Sequence, residues 1–264
     1  MPIPQSLPWM ESTDAKFARA VEHFEAYNVA AAAFVESVEH NVMIKVNPGT
    51  GARWIVMWES DQYPPLSLAT IVGDVLFNLR SALDNLVCGL ARSADTFAAC
   101  DKLEFPICTT PDLFDVAVNR RKRLTGLPDH VVRAIEAVQP FQTPSTVEIH
   151  PLWLLHELNN LDKHQSVHIS IGATQRCRVI IFNEREEELH TVELPSTINL
   201  GPVHLDLPSD LPDNIHASTS GTFVLSFRGY EQLAERSIDE VLATCIRYVE
   251  LQVLDTMRPF FRRE

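Results

Sequence analysis

HPLWLLHELNNLDKHQSVHISIG, His150–Gly172, changes its period partway along. As far as Lys163, the leucines Leu154, Leu155, Leu158 and Leu161 gather within about 120° of a helical wheel. His156, Glu157, Asn160, Lys163 and His164 fall outside that arc, so the stretch predicts an amphipathic helix over 151–163 with a polar back. Beyond Val167 the pattern alternates, and VHISIG predicts a strand over 167–172.

Upstream of this junction the chain is mostly helical in its spacing, apart from one hairpin and the connecting stretch around EFPICTTP. Phe17, Val21, Phe24, Ala31, Val35 and Val38 step by threes and fours through a helix over 12–40, with Asn28 in the one polar slot. Two β-rich runs, 41–47 and 53–59, flank Asn47-Pro48-Gly49-Thr50-Gly51, a hairpin turn. Pro64-Pro65 then introduces a second long helix over 66–92, striped by Leu68, Val72, Val75, Leu79, Ala82, Leu86 and Leu90. Shorter helices over 111–123 and 128–138 follow. The first carries Arg120-Arg121-Lys122-Arg123 in its last turn, where cations suit the helix dipole, ahead of Gly126 as a cap.

Downstream, runs over 177–183, 189–194 and 222–228 read as strands, with the Glu184–Glu188 charges at a solvated tip. Ser237-Ile238-Asp239-Glu240 is a capping box opening a final helix over 237–258. The expected architecture is α+β: one domain over 1–264, a helical bundle with long N-terminal, central and C-terminal helices packed against a largely antiparallel sheet.

A net charge of −13 disfavours nucleic acid and anionic membrane, since both draw affinity from Lys and Arg. The segment Arg120–Arg123 is the one local patch through which an anion or RNA could still be met. Five cysteines, Cys88, Cys100, Cys108, Cys177 and Cys245, form no C-x-x-C pair, which argues for free thiols in a reducing cytoplasm and against a zinc knuckle. No leader-like pattern opens the chain, and no uninterrupted apolar run suggests a membrane span. No cofactor motif is found, and oligomeric state is left open by the residues.

One residue breaks the pattern of the opening stretch. Asp162 falls at about 80° on the wheel, inside the leucine arc. An inward carboxylate needs a partner, and Arg80, at the edge of the apolar arc of 66–92, predicts an Arg80–Asp162 contact with Asp84 and Lys163 nearby. His156, Asn160 and His164 step by fours, as a metal face would. Asn is a poor transition-metal ligand and H-E-x-x-H is absent, so solvated or capping histidines are expected and no metal is assigned.

NLRSALDNLVCGLA, EFPI, QPF and LNNLDKH together resemble a group of uncharacterised bacterial proteins carrying R-S-A-L-D-H-L, then F-P-I, then Q-P-Y or Q-P-F, then D-K-H. That resemblance spans about Leu76 to Val167 and implies that Arg80, Asp84, Asp162, Lys163 and His164 form one constellation, with no established activity. R-S-A-L-D-N is also similar to the R-x4-H element of HEPN helical domains, which implies a metal-independent ribonuclease. Asn85 stands at the histidine position, and an amide cannot carry the proton that imidazole would. The leading expectation is therefore a binding or interaction protein without catalysis, and the alternative a HEPN-like ribonuclease or its inactive relative acting on RNA.

Overall fold

The computed structural model describes residues 10–37, 41–58, 63–94, 100–164, 167–173, 178–193, 203–220, 223–233 and 236–261. The fold is α+β, with antiparallel strand pairing throughout, and the chain forms two compact units. The first comprises Met1–Tyr27, Ala69–Val167 and Asp239–Glu264, the second Asn28–Leu68 and His168–Ile238.

The first unit is helical. α1 runs Glu11–Ser37, its first part buried through Ala20 and Tyr27; the expected extension over 38–40 lies outside the described residues. α2 (Leu66–Ser93) buries the expected stripe: Val72, Val75, Leu79, Ala82 and Leu86 are fully enclosed, as are Leu76, Leu83 and Val87. By length and composition α2 alone among the described helices could cross a membrane, yet 61% of its most apolar stretch is buried in the protein's own core. That burial marks a core helix.

α3 (Pro111–Asp115) is capped by Thr110, whose side chain accepts from the Leu113 amide, and passes into a π-helical turn over Val116–Arg120. The helix thus stops short of the expected 123. Arg120 stands in the last turn, as expected, and Arg121 caps it by donating its amide to the Val116 carbonyl; Lys122 then takes a left-handed φ of 59°, so the chain leaves the helix there and ahead of Gly126. α4 spans Asp129–Ala137 and α5 Pro151–His164, the latter burying Leu152, Leu154, Leu155 and Leu158 completely. α6 (Ile238–Tyr248) continues through a π-helical turn, Val249–Leu254, into α7 (Asp255–Met257).

The second unit holds the strands. β1 (Asn41–Val46) and β2 (Arg53–Trp58) form the expected hairpin, and β6 (Val203–Asp206) adds to β2. β4 (Arg178–Asn183) lies between β5 (Glu188–Glu193) and β7 (Ile215–Ser220), while β3 (Ile169–Ala173) pairs with β8 (Phe223–Phe227). Ile55 of β2, Val179 and Ile181 of β4 and Leu207 form one apolar core between the first two of these sheets, flanked by Ile44, Val192 and Ile215. β6 and β7 were not expected. Residues 59, 177, 194 and 222 of the expected strands, and Cys177, lie outside the described residues.

Candidate functional site

Arg80 is the organising residue of the first unit's polar cluster. A cation only 7% exposed on a helix otherwise packed with leucine needs compensation, and α2 supplies the first part itself. Asp84, one turn on, accepts from Arg80 Nη2 at 3.0 Å. The rest comes from the segment Cys100–Cys108. Glu104 Oε1 accepts from the same Nη2 at 2.9 Å and the Phe105 carbonyl at 2.7 Å. Asp84 Oδ1 accepts in turn from the Phe105 amide at 2.9 Å. Arg123, from the basic turn, takes the other oxygen of Glu104 at 2.9 Å.

The segment is therefore a strap pinned at several points. At its far end the Cys108 amide donates to Gln139 Oε1 at 2.9 Å, and Gln139, fully buried, donates through Nε2 to the Ile135 carbonyl. Its near end is covalent. Cys88 and Cys100 form a disulfide, with Cα atoms 5.4 Å apart, which corrects the expectation of free thiols; among the described residues the free cysteines are Cys108 and Cys245, both buried. Arg80, Asp84 and Cys88 are spaced by four, so one face of α2 carries all three attachments.

The predicted Arg80–Asp162 contact does not form. Asp162 instead lies against Gly73: a Cβ built there would sit 2.6 Å from the Asp162 carboxyl carbon, so a side chain at 73 would have to displace the carboxylate. Gly73 and Arg80 are seven residues apart, about 10 Å along a helix, beyond the reach of a guanidinium already held by three acceptors. Asp162 is half-buried, and burial raises its pKa, with Asp74 adding repulsion.

Asn85 also turns elsewhere, donating to the Ser12 carbonyl of α1 at 3.4 Å. Lys163 is exposed but lies close enough to lower the Asp84 pKa, which burial otherwise raises, with Arg80 as the largest counterweight. The His164 side chain lies outside the described residues.

The histidine that meets the cluster is His156. Its Nε2 sits 3.0 Å from Asn160 Nδ2, so this ring nitrogen accepts and the ring proton resides on Nδ1. Burial lowers its pKa first, then the Arg80 charge; Glu157 and Glu104 oppose the shift, and Arg123 adds the smallest lowering influence. Burial and Arg80 thus both favour the neutral imidazole. The signal for this role lay in the i, i+4 spacing of His156 and Asn160, which is as consistent with a side-chain pair as with a metal face. Among the described residues no three metal-ligating side chains converge.

Arg80, Arg123 and Lys163 share this neighbourhood with the carboxylates Asp84, Glu104 and Glu157, and Arg121 lies near Cys108 at the strap's far end. Arg80 Nη1 is fully covered and has no partner among the described residues. A buried guanidinium donor left unpaired is a group that an anion can satisfy.

No family model, curated protein or solved structure matches this chain.

Proposed function

We propose that the protein is a binding module without catalysis and that the Arg80 cluster recognises an anionic group, best a phosphate. The observation that carries this is Arg80 Nη1, a buried guanidinium donor without a partner among the described residues, with Arg123 tied to the same Glu104 beside it. Guanidinium groups offer forked N–H pairs that match phosphate oxygens, and burial strengthens each charge-assisted bond. Arg123, more exposed than Arg80 and paired with the same Glu104, is the cation that such a ligand meets first. Thermal melts with inorganic phosphate and with a 5′-mononucleotide test this. The wild type should gain stability with rising ligand and Arg123→Ala should gain little, because a ligand that binds only the folded state stabilises by mass action. Equal shifts in both proteins remove the site from the cluster.

A second reading, a HEPN-like metal-independent ribonuclease, is favoured by one observation: a neutral histidine, His156, stands within electrostatic reach of Arg80 although Asn85 occupies the motif's histidine position. A neutral imidazole can accept the proton of a ribose hydroxyl, and an arginine can hold the phosphate. RNA cleavage in chelator that is lost in both Arg80→Ala and His156→Ala supports it; cleavage unaffected by His156→Ala removes it. A cytoplasmic setting remains our reading of the composition.

A further inference from the structure

We propose that the Cys88–Cys100 disulfide is a redox latch on the strap that covers Arg80. Three features carry this. The bond is the covalent member of the attachments lined up on one face of α2, with Asp84 and Arg80 supplying the others to Phe105 and Glu104. Both its cysteines are partly exposed, unlike the two buried free thiols, so a reductant can reach it. And two of the three acceptors of Arg80 Nη2, Glu104 and the Phe105 carbonyl, belong to the strap itself. Whatever loosens the strap uncovers the arginine.

The chemistry needs a dithiol reductant. Its thiolate attacks one sulfur of the Cys88–Cys100 bond and forms a mixed disulfide; its second thiol displaces the protein sulfur. Two electrons and two protons pass to the chain, giving two cysteine thiols, and the reductant leaves as its own disulfide. In the oxidised protein Cys100 is held beside Cys88 and the strap stays down. In the reduced protein no covalent link holds Cys100, and the stretch to Phe105 relies on the Arg80 and Asp84 bonds to Glu104 and Phe105, the Glu104 amide's bond to the Arg123 carbonyl and the buried Leu103 and Phe105 side chains, while Gln139 still secures Cys108. A bond of this kind in a reducing compartment is responsive rather than permanent. The effect on ligand access rests on the anion-binding reading; the movement of the strap does not.

Two amides separate a local release from general unfolding. The Phe105 N–H is protected by Asp84 on α2 and the Cys108 N–H by Gln139 at the other end. Amide exchange is measured on the full chain, oxidised, reduced by dithiothreitol, and as the Cys88→Ser, Cys100→Ser double variant, each with and without inorganic phosphate. The latch predicts that exchange at Phe105 rises by about ten-fold or more on reduction while Cys108 changes little, and that the double variant behaves like the reduced protein. Reduced protein should also bind phosphate more tightly. Unchanged exchange at Phe105 overturns the latch, and so does a parallel rise at both amides, which makes the bond a general staple. A rise at Phe105 with no phosphate binding in either redox state leaves the latch standing and overturns the anion site.

Discussion

Removing the Arg80 side chain should reveal how tightly the cluster is balanced. In Arg80→Ala the Phe105 carbonyl loses its donor, and Asp84 loses its closest cation while remaining half-buried. Deleting one member of a fully buried pair costs about 3 to 5 kcal/mol. Asp84 and Glu104 keep 35% and 37% exposure and Glu104 keeps Arg123, so water and the second arginine screen part of the loss. A deficit of about 2 to 3 kcal/mol remains, a large share of a normal folding stability. Its pH dependence has a fixed sign. Burial already raises the Asp84 pKa and Arg80 is the chief opposing influence, so the variant's carboxyl titrates higher still. A group whose folded pKa is raised destabilises most above that pKa and is relieved as pH falls through it. Urea melts at pH 7 and pH 5 should therefore show the deficit shrinking on acidification. Arg80→Met with Asp84→Leu should recover only part of it, because the Phe105 amide then lacks its acceptor. A deficit below about 1 kcal/mol, or one equal at both pH values, refutes the compensation described here.

Two further perturbations follow from groups elsewhere in the first unit. His150 accepts from the Leu152 amide at Nδ1 and reaches Tyr248 through Nε2, and Tyr248 donates to the Val138 carbonyl; burial lowers the imidazole pKa to about 4. Because the unfolded chain takes up this proton at higher pH, stability is complete above about 6.5 and falls by about 2 kcal/mol toward pH 4, allowing for partial solvation; melts of His150→Gln against pH should lack that slope. Gly73→Ala should destabilise by more than about 1 kcal/mol, since a Cβ would collide with Asp162, whereas Asp162→Asn should be neutral or stabilising at pH 7 because it removes a charge that burial and Asp74 disfavour. Chemical denaturation of both variants checks this, and a strongly destabilised Asp162→Asn would contradict it.

The helices were legible because their apolar residues keep strict threes and fours, as the α2 stripe from Val72 to Leu90 does. β6 and β7 were not. β6 is four residues long, and Ile215–Ser220 carries Ala and two Ser among its six residues where a strand signal needs branched or aromatic side chains. The wheel paired Asp162 with Arg80, which does not occur, and placed Asp84 within reach of Arg80, which does. A helical wheel ranks residues by angle and says nothing of height along the axis, which is what separates Asp162 at Gly73 from Arg80. The disulfide left a faint trace, since Cys88 continues the spacing of Arg80 and Asp84 by four and Cys100 precedes Glu104 by four. His156 lay on the polar face of α5, and only the folded chain turns that face toward Arg80, Glu104 and Arg123.

The most direct test of anion recognition at this cluster is an NMR titration of the His156 ring against pH, with and without inorganic phosphate. Arg80 and Arg123 help hold its pKa below the ordinary histidine range, so an anion bound among them offsets their charge. The midpoint should move up in phosphate and stay still in Arg123→Ala, and phosphate affinity should rise as pH falls. A His156 midpoint identical with and without phosphate, at concentrations that raise the melting temperature, would place the anion elsewhere and contradict the account.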